Sequence, residues 1–181
     1  LNSVLNYFSR NVDNFLIGKL AGDSALGLYN RSYKLMLLPL QNLSGAMKQV
    51  MLSAMSESQA DKENLHMLYY RSTRILVFLL FPIFMGMWAV SKPFIIGLYG
   101  EAWAGTIPFL KILTWIGTIQ AIKTFNSTLL YAVGKPKIMF YIQIISIPVL
   151  FLAFWGGYQY NAVMGMLYFY LLFNILLTRI N

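Results

Sequence analysis

The chain has no cysteine and a single histidine, His66. The first absence excludes disulfides and thiolate metal centres, and one imidazole alone builds neither a metal site nor a histidine relay. Charge is scarce as well: 11% of residues are charged against 58% hydrophobic, and mean hydropathy is +0.59. Soluble domains carry about 25% charged residues. Between Lys137 and Arg179 there is no charged residue at all. A soluble core of that length would interleave solvated charges, so the chain reads as an integral membrane protein. A spanning helix needs ~20 apolar residues, and this stretch therefore holds two spans, broken near Gly156-Gly157 and Asn161. Enzyme signatures are missing too. There is no nucleophile elbow, phosphate loop or metal-spaced cluster, and the carboxylates Asp61 and Glu63 sit in a solvated stretch. No catalysis, metal or cofactor is expected. The chain begins at Leu1 without a basic, apolar, small-residue leader, and ends at Asn181 as a span finishes. It is expected to be a piece of a longer protein.

What is present is basic: the net charge is +8. The basic residues do not gather on one soluble face, so nucleic acid is not the expected partner. Hydropathy windows draw six spans, at roughly 1–20, 27–47, 75–91, 107–133, 138–156 and 162–178. Alternation puts the connectors near 48–74 and 134–137, with the tail, on one side of the bilayer. That side carries Lys48, Lys62, Arg71, Arg74, Lys135, Lys137 and Arg179, and the other carries Lys19 and Lys92. By the positive-inside rule the richer side is cytoplasmic, so both ends of the segment are cytoplasmic. The 48–74 connector is expected to be a cytoplasmic loop, with Asp61 capping a short amphipathic helix that places Leu65, Leu68 and Tyr69 on one face. Tyr99, Trp103, Trp155, Tyr158 and Tyr160 fall at the outer ends, where aromatic belts lie.

Arg10, Arg31, Lys34, Lys111 and Lys123 fall inside these spans, and charge in hydrocarbon is costly unless it faces a protein interior or a wet cavity. On the second span Arg31, Lys34, Gln41, Gly45 and Lys48 lie within an arc of ~100°, with Asn42 beside it. This stripe suits a cavity-lining helix; the alternative is that Arg31 and Lys34 snorkel to the interface. The first span repeats the pattern with Asn2, Ser3, Asn6, Arg10, Asp13 and Asn14. Arg10 and Asp13 are spaced to pair, either as a helix-locking ion pair or with Arg10 offered to an anion and Asp13 titrating in a coupling step. Gly18 and Gly22 are spaced for close helix approach. On the fourth span Lys111, Thr114 and Thr118 oppose Gln120, Lys123 and Ser127. Lys111, level with Arg31 and Lys34, is expected to face inward, and Lys123 to snorkel to the cytoplasm or meet another helix. Pro39, Pro82 and Pro148 predict bends, in moving or static helices.

The run from Arg10 to Leu20, RNVDNFLIGKL, and the run from Ala25 to Leu35, ALGLYNRSYKL, followed by Leu38-Pro39-Leu40-Gln41, resemble bacterial polysaccharide transporters. These are the Wzx-type O-antigen and exopolysaccharide flippases of the multidrug/oligosaccharidyl-lipid/polysaccharide superfamily, nearest its colanic and teichuronic acid exporter branch. Residues 93–103 and Gly134-Lys135-Pro136 resemble later connectors of that family. The resemblance implies an all-α fold of two bundles, each of six or more helices, working by alternating access, with this chain as the C-terminal lobe. It implies transport of undecaprenyl-pyrophosphate-linked oligosaccharide across the bacterial inner membrane, in partnership with membrane lipids and a separate N-terminal bundle. Arg10, Arg31, Lys34 and Lys111 would then meet the anionic substrate, with Asn6, Asn14, Gln41 and Asn42 lining the cavity. Asp13 would couple transport to a proton or sodium gradient. Alternatives are a peptidoglycan-precursor flippase, a drug exporter, which would want carboxylates in its cavity, or a membrane-bound glycan polymerase or transferase, which would want a large outer loop. A structural membrane subunit would need no polar stripes.

Overall fold

The computed structural model describes the backbone of residues 2–180 and the side chains of residues 12–176. Every regular element among them is helical: α1 (Asn2–Glu57), α2 (Lys62–Ala89), α3 (Ser91–Tyr99), a 3-10 turn (Glu101–Trp103), α4 (Thr106–Lys123), α5 (Asn126–Ala132) and α6 (Pro136–Ile180). α2 and residues Pro136–Leu176 of α6 are long and apolar enough to cross a membrane.

α1 is a hairpin. Gly22 takes φ 84°, ψ 173°, a conformation open mainly to glycine, and the chain turns back there. Asp13 and Tyr29 prove the reversal. They are 16 positions apart, which a straight helix would stretch over ~24 Å, yet their side chains hydrogen-bond at 2.6 Å. Gly18 lies where the arms approach, since a β-carbon there would come within 3.1 Å of Leu26 Cδ2. Of the glycine pair read as a helix-contact motif, Gly18 makes the contact and Gly22 makes the turn.

α6 folds back in the same way at Asn161 and Ala162, the latter at φ 42°. Gly157 and Gly165 touch backbone to backbone: a β-carbon on Gly157 would lie 2.6 Å from the Gly165 carbonyl oxygen. The Tyr158 hydroxyl then donates to the Leu20 carbonyl at 2.7 Å, satisfying an acceptor at the end of α1's first arm and tying the two hairpin tips together.

Three expectations need correction. The loop expected over 48–74 is helix on both sides of a short turn: α1 runs on to Glu57, and α2 begins at Lys62. The stretch from Ala46 to Glu57 holds neither glycine nor proline, so its polarity marks exposure and not irregularity. Asp61 does cap α2, accepting from Glu63 N and Asn64 N at 3.1 Å, but the helix it starts is the full 28-residue α2. The span expected over 107–133 breaks between α4 and α5. Thr114, Thr118 and Thr124 all bond back to carbonyls of the preceding turn, which loosens a helix, and the break follows Thr124. The segment between α2 and α4 is largely helical, as α3 and the 3-10 turn.

α4 is the hub, packing on α1, α2, α3 and α6. Its buried Leu113 and Ile116 join Ile17, Met36, Leu80, Phe84, Phe154 and Met166 in one core. Leu35, Ile95 and Leu110 form a smaller cluster that seats α3. At the crossing of α1, α2 and α4, Gly117 leaves room for Phe84 and Met36, which would stand 2.8 Å and 2.9 Å from a β-carbon. The α6 reversal yields a test. Gly157→Ala forces backbone apart and is expected to destabilise the full-length protein by about 1–3 kcal/mol, whereas Gly97→Ala, which meets nothing within 4 Å, should leave thermal unfolding in detergent unchanged.

Candidate functional site

The second arm of α1 presents Tyr33, Leu37, Gln41, Ser44 and Lys48 at helical spacing to one side. α4 and α5 present Gln120, Lys123, Thr124 and Ser127 opposite them. Together these residues wall a polar cavity of about 350 Å³. Lys123 crosses to α6, its Nζ donating to the Asn174 carbonyl at 2.6 Å. Gln120 Nε2 reaches the Tyr170 hydroxyl at 3.4 Å. Of the two alternatives for Lys123, the structure shows it meeting another helix.

Lys111 stands elsewhere. Its Nζ sits over the Trp88 ring, 5.4 Å from the centroid, on the α2 side of α4. Nine residues separate Lys111 from Gln120, half a turn around the helix, so the two faces cannot share a cavity. The structure therefore joins the Gln41 stripe to the Gln120, Lys123 and Ser127 face, and leaves Lys111 outside it.

Arg31 is not among the residues lining this cavity. Its guanidinium lies over the rings of Tyr99 and Trp103, with centroids 4.9 Å and 4.8 Å away. The residues read as belt aromatics thus hold Arg31 against α3 and the 3-10 turn by cation–π attraction. Lys34 and Asn42 are exposed, as is Gln41 at the cavity rim.

Asp13 is buried at 6% exposure. Its Oδ2 accepts from the Tyr29 hydroxyl at 2.6 Å and its Oδ1 from Asn14 N at 2.8 Å. Tyr29 stacks on Tyr33, with centroids 5.6 Å apart, and Tyr33 lines the cavity. Asn14 Oδ1 is buried without a hydrogen-bond partner among the described residues. The side chains of Asn6 and Arg10, and with them the expected Arg10–Asp13 pair, lie outside the described residues.

Sequence reading missed Tyr29, Tyr33 and Tyr170. The signal for Tyr29 was Gly22 itself: once the chain reverses there, positions 13 and 29 fall opposite one another.

Residues 1–108 match the model of a family described as polysaccharide biosynthesis protein. The chain belongs to this family. Among curated relatives, the teichuronic acid biosynthesis protein TuaB of Bacillus subtilis is 27% identical over 138 residues, covering 76% of this chain and 29% of that protein. The lipopolysaccharide biosynthesis protein WzxC of Escherichia coli is 25% identical over 177 residues, 98% of this chain and 36% of that one. The succinoglycan biosynthesis transport protein ExoT of Rhizobium meliloti is 25% identical over 167 residues, 92% of this chain and 33% of that one. The chain thus spans about a third of the length of the curated relatives it matches. No solved structure matches it. Family membership and two helices apolar enough to cross a bilayer together mark a membrane protein.

The Asp13–Tyr29 contact gives a stability test for this family member. Tyr29→Phe strips a buried carboxylate of one partner and is expected to cost about 1–3 kcal/mol. Asp13→Asn combined with Tyr29→Phe should cost less than the sum of the single changes, measured by thermal unfolding of the full-length protein.

Proposed function

We propose that the protein containing this chain moves lipid-linked polysaccharide repeat units, undecaprenyl-pyrophosphate oligosaccharides, from the cytoplasmic to the outer leaflet of a bacterial membrane. The observation that carries this reading is the polar, lysine-bearing cavity between α1, α4 and α5 in a membrane protein of the polysaccharide biosynthesis family. A pyrophosphate crossing a low-dielectric layer needs counter-charge, and Lys48 and Lys123 offer it beside hydrogen-bonding groups suited to sugar hydroxyls. The naming of one relative as a transport protein favours transport over catalysis.

In this reading the chain is one lobe of an alternating-access transporter. The two arms of α1, α2, α4 with α5, and the two arms of α6 are its six membrane passes. The turn between α1 and α2 is cytoplasmic, as are both ends of the segment, in keeping with the bias of Lys and Arg toward that side. The exposed stripe of Lys34, Gln41 and Asn42 faces a second lobe, whose side chains complete the path. Arg31 and Lys34 stand further along the same arm toward the outer side, as later stations for the anion, and Arg10 joins them from the first arm. Asp13, the acidic side chain buried within the passes, couples movement to a proton or sodium gradient, and no cofactor takes part.

The test is translocation of a pyrophosphate-linked saccharide by the full-length protein in liposomes. Lys123→Gln and Lys34→Gln are each expected to slow it about tenfold or more, the loss of one charge-assisted contact. Lys111→Gln, which leaves the cavity intact, should have the smaller effect. Equal losses from all three, or none, would remove the cavity from the path.

A further inference from the structure

A second cavity adjoins the first. It holds about 490 Å³ and is walled mainly by apolar atoms, among them those of Tyr69 from α2, Leu130 from α5, and Met139 and Ile142 from α6. Lys123 and Ser127 line both cavities and form their common boundary. Beyond that boundary the lining keeps His66 and Asn126 but is otherwise mainly hydrocarbon.

The opening of the apolar cavity is set by helix packing. α2 packs on α1 and α4, and α6 packs on α1, α4 and α5, while α2 and α6 touch each other marginally at most. The cavity lies in the gap between these two, which are the helices apolar enough to cross a bilayer. Ile138 at its edge is 43% exposed. In a bilayer, a gap between two such helices would face the lipid, where an acyl or prenyl chain is the available occupant.

The order of surfaces is that of one kind of molecule: a polar head, an anion and a hydrocarbon chain. We propose that the apolar cavity seats the first prenyl units of a polyprenyl phosphate, entering between α2 and α6, with its phosphate held at the Lys123–Ser127 boundary. Lys123 carries three donors, so it can keep its bond to the Asn174 carbonyl and still donate to phosphate oxygens. The Tyr69 hydroxyl is already engaged with Asn126 Oδ1 at 2.6 Å, which turns its ring and not its polar tip to the chain. An ordinary diacyl phospholipid, with its small head, would leave the polar cavity unfilled. The choice of a polyprenyl carrier rests on the transport reading above, and the site itself rests on the two cavities and the gap.

Photo-crosslinking tests this in the full-length protein in nanodiscs, with diazirine-bearing polyprenyl phosphate, polyprenol and phosphatidylglycerol as probes. Adducts from polyprenyl phosphate are expected on the peptides holding Tyr69 and Met139 to Ile142. Lys123→Gln, which removes the anion partner, and Ile142→Trp, which fills the cavity, should each reduce them about tenfold or more. Ile145→Trp, at a position 66% exposed, serves as a folding control and should leave them unchanged. Equal labelling by phosphatidylglycerol, or by polyprenol regardless of Lys123, would overturn the proposal, as would absence of adducts on these peptides. Translocation measured on the same wild-type protein separates the two ideas. Transport without these adducts sinks the lipid site alone, and adducts without transport sink the transporter reading.

Discussion

A polar side chain on a membrane-crossing helix has no water to turn to, so it must find protein partners or share a crevice with others of its kind. The polar side chains around α4 find such partners, and the packing follows from how they do. One edge of the helix is greasy and tight, with Gly117 drawn against Phe84 and Met36. Another carries Gln120 and Lys123, with Thr124 just past the helix end, to the polar stripe of α1. The hub of the core is therefore also a wall of the cavity, and packing and polarity are settled on the same eighteen-residue helix.

The two hairpins serve this arrangement. Folding at Gly22 brings Asp13 to Tyr29, and stacking carries the contact on to Tyr33 at the cavity wall. Folding at Asn161 and Ala162 brings the second arm of α6 back along α4, where Asn174 takes Lys123 and Tyr170 takes Gln120. A buried acid and a lysine-bearing cavity are thus joined through tyrosines by short, direct contacts. In a transporter, this is the physical connection through which the state of one could bias the other.

The breaks in the chain were the most legible features. Asn161 is visible as punctuation and α6 does reverse there, while the neighbouring Gly156-Gly157 stays helical and Gly157 allows the close approach of the two arms. The cap at Asp61 was equally plain. The α1 stripe could be drawn from 100° periodicity, and Gln41 and Lys48 do line a cavity. The α4 side of that cavity was not legible. Lys111 and Lys123 stand on different faces of one helix, and nothing local says which face meets α1; tertiary packing decides. Arg31 was hidden for a related reason. Its aromatic partners lie in a connector some seventy residues away, and composition alone could read them only as interface residues. The helical character of 48–57 was concealed by the charged run that follows it, which reports solvent and not backbone.

The most direct measurement exploits the lack of cysteine in this segment. In full-length protein otherwise free of reactive thiols, Gln41→Cys and Ser127→Cys would be exposed to a membrane-impermeant thiol reagent from one side of the membrane at a time. A substrate path through the cavity predicts labelling at both positions from the cytoplasmic side, blocked by pyrophosphate-linked saccharide, with Thr114→Cys in the buried core inert throughout. Labelling that ignores the saccharide, or a cavity closed to the reagent from both sides, would contradict it.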